Sequence, residues 1–254
     1  MSSLALETRG LRKSFGALTV TDEVDFKLEH GARHALIGPN GAGKTTFVNL
    51  VTGKLQATEG EILLHGESIS RLAEHERVKK GLARTFQINA LFMDMSVLEN
   101  VALGISERQG LAWRCFRPAG KAVQVLEEAY GQLCQLGIED CANRLIRELS
   151  YGQQRLVEIA IALSLRPKVL LLDEPAAGVP AGESGVILEA LDKLDPAMAI
   201  MIIEHDMDLV FHFARQITVF EQGRVVAEGT PDEISQNAHV RAIYFGERRG
   251  GRHG

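Results

Sequence analysis

Residues 38–45 read Gly38-Pro39-Asn40-Gly41-Ala42-Gly43-Lys44-Thr45, a glycine-rich turn of the form GxxxxGK[ST]. The apolar stretch His34–Ile37 precedes this turn, and a helix is predicted from Lys44 to near Gly53. A strand, a glycine turn and a helix in this order direct backbone N–H groups and the positive end of the helix toward a bound phosphate. The stretch therefore predicts a phosphate-binding loop, against the alternative of a purely structural glycine turn.

Within this loop, Lys44 is predicted to reach the β- and γ-phosphates, and the Thr45 hydroxyl to bind Mg²⁺. The predicted nucleotide-binding set also includes the neighbouring Thr46.

An acidic pair follows a fully aliphatic stretch, Val169-Leu170-Leu171-Leu172-Asp173-Glu174-Pro175. At the end of a buried strand, the Asp173 carboxylate is predicted to reach the magnesium shell, and Glu174, one residue later, points to a different face. Glu174 is the candidate general base that polarises the attacking water, a role worth about 10² to 10⁴ in rate. By itself an Asp-Glu-Pro sequence is equally compatible with an ordinary acidic turn.

A second glycine-containing turn, Leu149-Ser150-Tyr151-Gly152-Gln153, lies about twenty residues before the acidic pair. Ser150 is predicted to cap the helix that follows, which leaves backbone N–H groups at a positive helix end facing an anion. The nucleotide-binding prediction therefore includes the four residues from Ser150 to Gln153. If that anion were this subunit's own nucleotide, the helical region would have to fold back across the site.

Three further residues are candidates because of their positions. His205 follows the apolar strand Ile200–Ile203 and is predicted to hold the γ-phosphate and the water, although a lone histidine there is more often structural. Gln87 is predicted to end a short strand at the border of the helical region, where its amide oxygen would bind Mg²⁺, although taken alone it would be a polar loop residue. Phe15, before Gly16, is predicted to stack on adenine, although such an aromatic is more often part of a core.

Composition limits the class of protein. The 254 residues are 45% hydrophobic and 24% charged, as expected of a folded chain with a sizeable core. The net charge of -5 provides no general basic field, so no nucleic-acid partner is predicted. The apolar stretches are shorter than the roughly 20 residues of a membrane helix. Three cysteines without CxxC spacing indicate reduced thiols in a cytoplasmic protein.

The order of the predicted elements indicates an α/β fold with a mostly parallel sheet, an antiparallel β annex and an inserted α-helical lobe. Helical patterns dominate from about Met95 to Ser164 and begin with a capping box at Ser96 and Glu99. Strands and helices alternate again after that.

The motifs together resemble the ABC ATPase family from Phe15 to at least Thr230. The resemblance implies a P-loop NTPase core with ATP and Mg²⁺, and catalytic roles for Lys44, Glu174 and His205. It also implies a head-to-tail dimer in which Ser150–Gln153 of one subunit closes over ATP in the other, driving a membrane partner. The implied single domain has a core at 1–94 and 165–235, a helical lobe at 95–164, and a C-terminal extension and tail at 236–254.

Within that family, four features resemble the ATPases of importers of branched-chain amino acids and related hydrophobic or amide solutes: Arg84–Gln87, Leu91-Phe92, Met95–Val101 and Tyr151. That likeness implies two membrane-spanning permeases, a second ATPase subunit, either a paralogue or a copy of this chain, and a periplasmic solute-binding protein acting indirectly. It places the chain peripherally on the cytoplasmic face of the inner membrane.

Two departures from the family pattern are visible. Tyr151 replaces the first glycine of the commonest form of this turn. Most members of the family carry an Asn or Asp near the position of Pro180, and proline, which fixes φ and has no N–H, puts the usual cross-dimer contact of this loop in doubt.

The alternatives are the ATPase of an exporter or lipid-extraction complex, and a soluble ABC ATPase that acts outside transport. A soluble ABC ATPase would be expected to show two such domains, long coiled coils or a basic face, and the sequence has none of these. A GTPase or small-molecule kinase does not account for the turn at Ser150.

Overall fold

The computed structural model describes residues 4–85, 91–111, 119–180 and 184–245. The strands are β1 (Leu4–Phe15), β2 (Leu18–Glu29), β3 (Arg33–Ile37), β4 (Glu59–Leu64), β5 (Glu67–Ser68), β6 (Leu82–Arg84), β7 (Val169–Asp173), β8 (Ala199–Ile203), β9 (Gln216–Glu221) and β10 (Arg224–Gly229). The helices are α1 (Lys44–Thr52), α2 (Glu74–Lys79), α3 (Val97–Arg108), α4 (Ala119–Leu136), α5 (Tyr151–Ser164), α6 (Ser184–Asp192), α7 (Met207–Phe213), α8 (Pro231–Gln236) and α9 (Ala238–Phe245). None of the helices in these ranges has the length and apolar character needed to span a membrane.

The chain divides into two compact units. Met1–Lys80 and Ala199–Gly254 form the first unit, and Gly81–Met198 forms the second. The phosphate loop and His205 therefore belong to the first unit, whereas the turn at Ser150 and the acidic pair belong to the second.

The core strands of the first unit lie in the order β8, β3, β9 and β10. Strand β3 is parallel to both neighbours, since Ala35 pairs with Ile202 of β8 and with Ile217 of β9. All residues of β3 and β8 are buried, as expected of parallel strands covered on both faces. A hairpin turn at Gln222 and Gly223, both with positive φ, returns the chain antiparallel into β10.

The antiparallel annex has the strand order β2, β1, β4 and β5. Its longest strands, β1 and β2, have 12 residues each and pair antiparallel. An aromatic cluster lies between the annex and the core strands. Phe47 of α1 is 5.4 Å from Phe26 of β2 and 5.2 Å from Phe220 of β9 between ring centroids, so α1 is held on both sides.

The second unit pairs β6 and β7 in parallel, with Ala83 opposite Leu170. Helices α3, α4 and α5 pack against one another. The capping box predicted at Ser96 is present, since Ser96 Oγ accepts from Glu99 N at 3.2 Å and Glu99 Oε2 accepts from Ser96 N at 2.7 Å. The predicted helical region also contains one isolated bridge, between Ser96 and Leu145. The predicted α/β fold with parallel core strands, an antiparallel annex and a helical region is confirmed.

Candidate nucleotide-binding and hydrolysis site

The glycines of the phosphate loop are required by its backbone and by its neighbours. Gly41 and Gly43 have φ of 80° and 101°, in the left-handed region that favours glycine. A Cβ atom at Gly38 would lie 2.3 Å from the Phe220 carbonyl oxygen, and one at Gly43 would lie 2.8 Å from that of Val20. The loop is therefore packed directly against β9 and β2, where no larger residue fits.

Helix α1 begins at Lys44 without a side-chain cap, because its N-cap residue is Gly43. The helix dipole favours an anion at this end of α1. Lys44 folds back over the loop, and its Nζ donates to the carbonyl oxygens of Gly38 at 2.6 Å and Pro39 at 3.1 Å. Thr45 is exposed and Thr46 is half-buried on the same turn. This arrangement fits a polyphosphate group.

His205 lies at the carboxyl end of β8, next to β3 in the sheet, because Leu36 pairs with Ile203. The His205 side chain is 67% exposed, and its Nδ1 is 3.8 Å from Oε2 of the buried Glu204. This exposure argues against a purely packing role. The next residue, Asp206, caps α7 by accepting from the backbone N–H groups of Asp208 and Leu209.

Phe15 ends β1 in the same unit, and it is 49% exposed. The Nζ of Lys13 lies 5.0 Å from the centre of its ring. The aromatic face is therefore on the surface and not in the core, which leaves it available for stacking on a flat ligand.

The acidic pair of the second unit has two different environments. Asp173 is 6% exposed, and its Oδ2 accepts a hydrogen bond from the Arg84 guanidinium at 2.5 Å. Glu174 has φ of 48°, a left-handed conformation that is uncommon for a residue with a side chain. Its carbonyl oxygen accepts from Ala177 N at 3.0 Å, which closes a turn after β7. Asp173 is thus the last residue of β7, and Glu174 lies in the turn that follows.

The predicted cap at Ser150 is confirmed. Ser150 Oγ accepts from Gln153 N at 3.3 Å, and Gln153 Oε1 accepts from Ser150 N at 3.1 Å. Gln153 Nε2 also donates to the sulfur of the buried Cys141 at 3.3 Å, a contact that no sequence motif predicts. Tyr151 is 67% exposed and Gly152 is buried, so the turn presents an open surface beside Ser150.

Arg155, one turn into α5, joins this helix to the loop after the acidic pair. Its guanidinium donates to Glu158 at 2.6 Å and to the Ala177 carbonyl at 3.4 Å. The spacing of Arg155 and Glu158 on one helix face was visible in the sequence, but the contact with Ala177 was not. Arg155 is therefore a supporting residue that the motif search missed.

Metal ligands are predicted at Thr45, Gln87 and Asp173. Gln87 lies outside the described residues, and β6 ends at Arg84. In the described ranges no three His, Cys, Asp or Glu side chains form a group able to hold a metal ion.

Comparison with known proteins identifies the family. The model of the family described as ABC transporter matches residues 21–177. The chain belongs to the ABC transporter ATPase family. A second family model, described as branched-chain amino acid ATP-binding cassette transporter, matches residues 224–249 of this ABC ATPase.

Two relatives and one solved structure illustrate the similarity of this ABC ATPase to characterised proteins. It is 39% identical to the high-affinity branched-chain amino acid transport ATP-binding protein BraF of Pseudomonas aeruginosa, over 97% of this chain and 100% of the relative. It is 37% identical to LivG of Escherichia coli, a protein of the same description, with the same coverage. The ADP conformation of MJ1267, an ATP-binding cassette of an ABC transporter, superimposes with a TM-score of 0.84 at 31% identity, covering 96% of this chain and 99% of that one.

Proposed function

We propose that this ABC ATPase powers the uptake of branched-chain amino acids or related small hydrophobic or amide solutes. The observation that carries the proposal is the match of residues 224–249 to the branched-chain amino acid cassette model. The similarity to BraF and LivG over 97% of the chain supports it, because those proteins are described as parts of such transport systems.

ATP binding is assigned to the first unit. Phe15 stacks on the adenine, and the loop residues bind the phosphates through backbone N–H groups and the Lys44 ammonium. Bound Mg²⁺ neutralises charge on the β- and γ-phosphate oxygens. The oxygen donors proposed to hold it are Thr45, Gln87 and Asp173, whose hydroxyl, amide and carboxylate groups suit this ion.

For hydrolysis, Glu174 accepts a proton from the attacking water, and His205 orients the water and the γ-phosphate. Lys44 stabilises the charge that develops on the phosphoryl group. The half-buried position of Glu174 and the exposed ring of His205 support these roles. The proposed assignment is therefore general-base catalysis combined with electrostatic stabilisation by fixed charges.

The turn from Ser150 to Gln153 is proposed to bind the nucleotide of a second ATPase subunit in a head-to-tail dimer. Ser150 is exposed and begins a 14-residue helix whose positive end favours phosphate. Residues 1–254 form one ABC ATPase domain in this proposal, with the core, helical lobe and C-terminal extension predicted above.

The proposed partners are two membrane-spanning permeases and, indirectly, a periplasmic solute-binding protein. The chain would lie peripherally on the cytoplasmic face of the inner membrane. Gentle solubilisation of membranes from the native cell and identification of co-purifying proteins tests this assembly. Two permeases and a second ATPase are expected, and recovery in the soluble fraction alone would refute the assembly.

Glu174→Gln tests the catalytic assignment, because it removes the base and keeps the size and shape of the side chain. We expect nucleotide affinity to be retained and ATP turnover of the purified assembly to fall by about 10² or more. Glu189→Gln, an exposed substitution on α6, is the matched control and should leave both unchanged. Near-normal turnover of Glu174→Gln would remove Glu174 as the base.

A further inference from the structure

Asp22, in β2, binds two arginines that come from different strands. Its Oδ1 accepts hydrogen bonds from Arg12 of β1, from Nε at 3.0 Å and from Nη2 at 2.7 Å. Its Oδ2 accepts from Nε, at 2.9 Å, and from Nη2 of Arg224, the first residue of β10. The Asp22 side chain is only 16% exposed, and hydrogen bonds between charged groups are stronger than those between neutral ones. The carboxylate therefore joins the antiparallel annex, through β1, to the core strands, through β10.

The pairing of β1 with β2 places this aspartate opposite the arginine of β1. Leu11 pairs with Val24 and Lys13 pairs with Thr21, so one residue of β1 lies opposite two residues of β2. The second of those two, Glu23, has φ of 52°, in the left-handed region. A bulge of this kind changes the direction of a side chain within a strand. The contact is therefore built into the strand pairing of the annex.

The backbone of Asp22 continues this connection to the phosphate loop. Asp22 N donates to the Gly223 carbonyl at 2.9 Å, and Gly223 N donates to the Ala42 carbonyl at 2.8 Å. The packing is close, because a Cβ atom at Gly223 would lie 2.3 Å from the carbonyl oxygen of Val20 in β2. A continuous set of hydrogen bonds thus runs from Arg12 of β1 to the loop that is proposed to bind phosphates.

Strand β1 also carries the aromatic residue of the proposed nucleotide site. Phe15 is the last residue of β1, three residues after Arg12, and it is 49% exposed. One nucleotide has to reach both this ring and the phosphate loop, so the distance between the two decides whether the base and the phosphates can be bound together. Holding a site in its bound geometry before the ligand arrives lowers the cost of binding.

We propose that Asp22 is a positioning residue for adenine binding, and that its contacts with the two arginines hold Phe15 at the distance from the phosphate loop that one nucleotide requires. The inference rests on the proposed function, which assigns this ring to the adenine. It predicts that loss of these contacts weakens binding of the base and leaves binding of the phosphates unchanged.

Asp22→Asn tests the proposal on the full chain, because it removes the charge and keeps the size and shape of the side chain. Titration calorimetry gives the dissociation constants for ATP and for tripolyphosphate, which lacks the base. We expect about three- to tenfold weaker binding of ATP, the range for a lost aromatic stack, and unchanged binding of tripolyphosphate. Arg224→Gln, which breaks only the contact with β10, should act in the same direction. Arg9→Gln, which breaks the ion pair with Glu7 within β1, is the matched control and should change neither constant.

Phe15→Ala separates this inference from the proposed function. It should weaken ATP binding and leave tripolyphosphate binding unchanged. Addition of Asp22→Asn to Phe15→Ala should cause no further loss, because no ring remains to be positioned. If Phe15→Ala binds ATP as tightly as the wild type, the assignment of the ring to the adenine fails, and the positioning role fails with it.

Three results would overturn the positioning role alone, provided that Phe15→Ala weakens ATP binding. They are unchanged ATP affinity in Asp22→Asn, an equal loss of ATP and tripolyphosphate affinity in that variant, and fully additive losses in the double variant. The variant is expected to fold, because Arg12 keeps its ion pairs with Glu23 at 3.4 Å and Glu59 at 3.8 Å. If circular dichroism shows that Asp22→Asn is unfolded, the same comparisons are made with Arg224→Gln, whose side chain is 67% exposed in the wild type.

Discussion

Acidification should destabilise this protein through His34, which lies in β3 directly before the phosphate loop. The imidazole is 6% exposed and packs edge-on against Phe26, with 5.0 Å between ring centroids. Its Nε2 is 2.8 Å from Thr218 Oγ1, and that hydroxyl donates its only hydrogen to Glu228 at 3.0 Å. His34 must therefore donate from Nε2, so the neutral imidazole is the tautomer that is protonated at Nε2 and unprotonated at Nδ1.

The magnitude follows from the pKa of this group. Burial lowers the pKa of His34 from 6.5 to about 4. Because the unfolded chain then binds the proton more tightly than the folded chain, stability is complete above pH 6.5 and is lost as the pH falls toward 4. This difference in pKa between the unfolded and the folded chain corresponds to about 3 kcal/mol of unfolding free energy in total, of which about 2.5 kcal/mol is lost by pH 4.5.

Urea unfolding followed by circular dichroism at several pH values between 7.5 and roughly 4.5 measures this loss. Other groups titrate in the same range, so the informative quantity is the difference in unfolding free energy between the wild type and His34→Gln, which keeps a donor for Thr218. We expect that difference to shrink by about 2.5 kcal/mol on acidification. The exposed His75→Gln should show a constant difference from the wild type. A constant difference for His34→Gln would refute the reasoning.

Two further substitutions test how the phosphate loop and its helix are held. Arg77 is 1% exposed and donates to four backbone carbonyls, two of them at the end of α1. Arg77→Met should therefore lower the unfolding free energy by about 3 kcal/mol. A loss under about 1 kcal/mol in urea unfolding would contradict this. Gly38→Ala should cost about 1–3 kcal/mol and weaken nucleotide binding, because the new methyl group meets the Phe220 carbonyl. Calorimetric melting measures the loss of stability, and titration measures nucleotide affinity. Gly120→Ala, at an open position in α4, is the control and should leave affinity unchanged without lowering stability.

The parts of the site that the sequence predicts are those specified by local contacts. The strand, loop and helix around Lys44 follow from neighbouring residues, and the cap at Ser150 depends on a residue three positions later. Arg77 was not assigned a role, because it belongs to no motif and the two carbonyls that it binds at the end of α1, those of Leu50 and Val51, lie 27 and 26 residues earlier in the chain. His34 belongs to no motif either, and its partner Thr218 lies 184 residues later in the chain.

Glu174 illustrates why the chemistry of a motif needs its backbone as well as its residue types. In a continuous strand, consecutive side chains point to opposite faces, so Asp173 in β7 would by itself fix where Glu174 points. The left-handed φ of 48° at Glu174 breaks that rule, at a cost of about 1–3 kcal/mol that the surrounding structure must offset. The offset is visible in the turn that follows, where Ala177 N donates to the Glu174 carbonyl and Arg155 donates to the Ala177 carbonyl. Arg155 lies on α5, the helix that Ser150 caps. Hydrogen bonds therefore connect α5, through Arg155 and Ala177, to Glu174, the proposed base. The same helix begins at the turn that is proposed to contact the nucleotide of a second subunit.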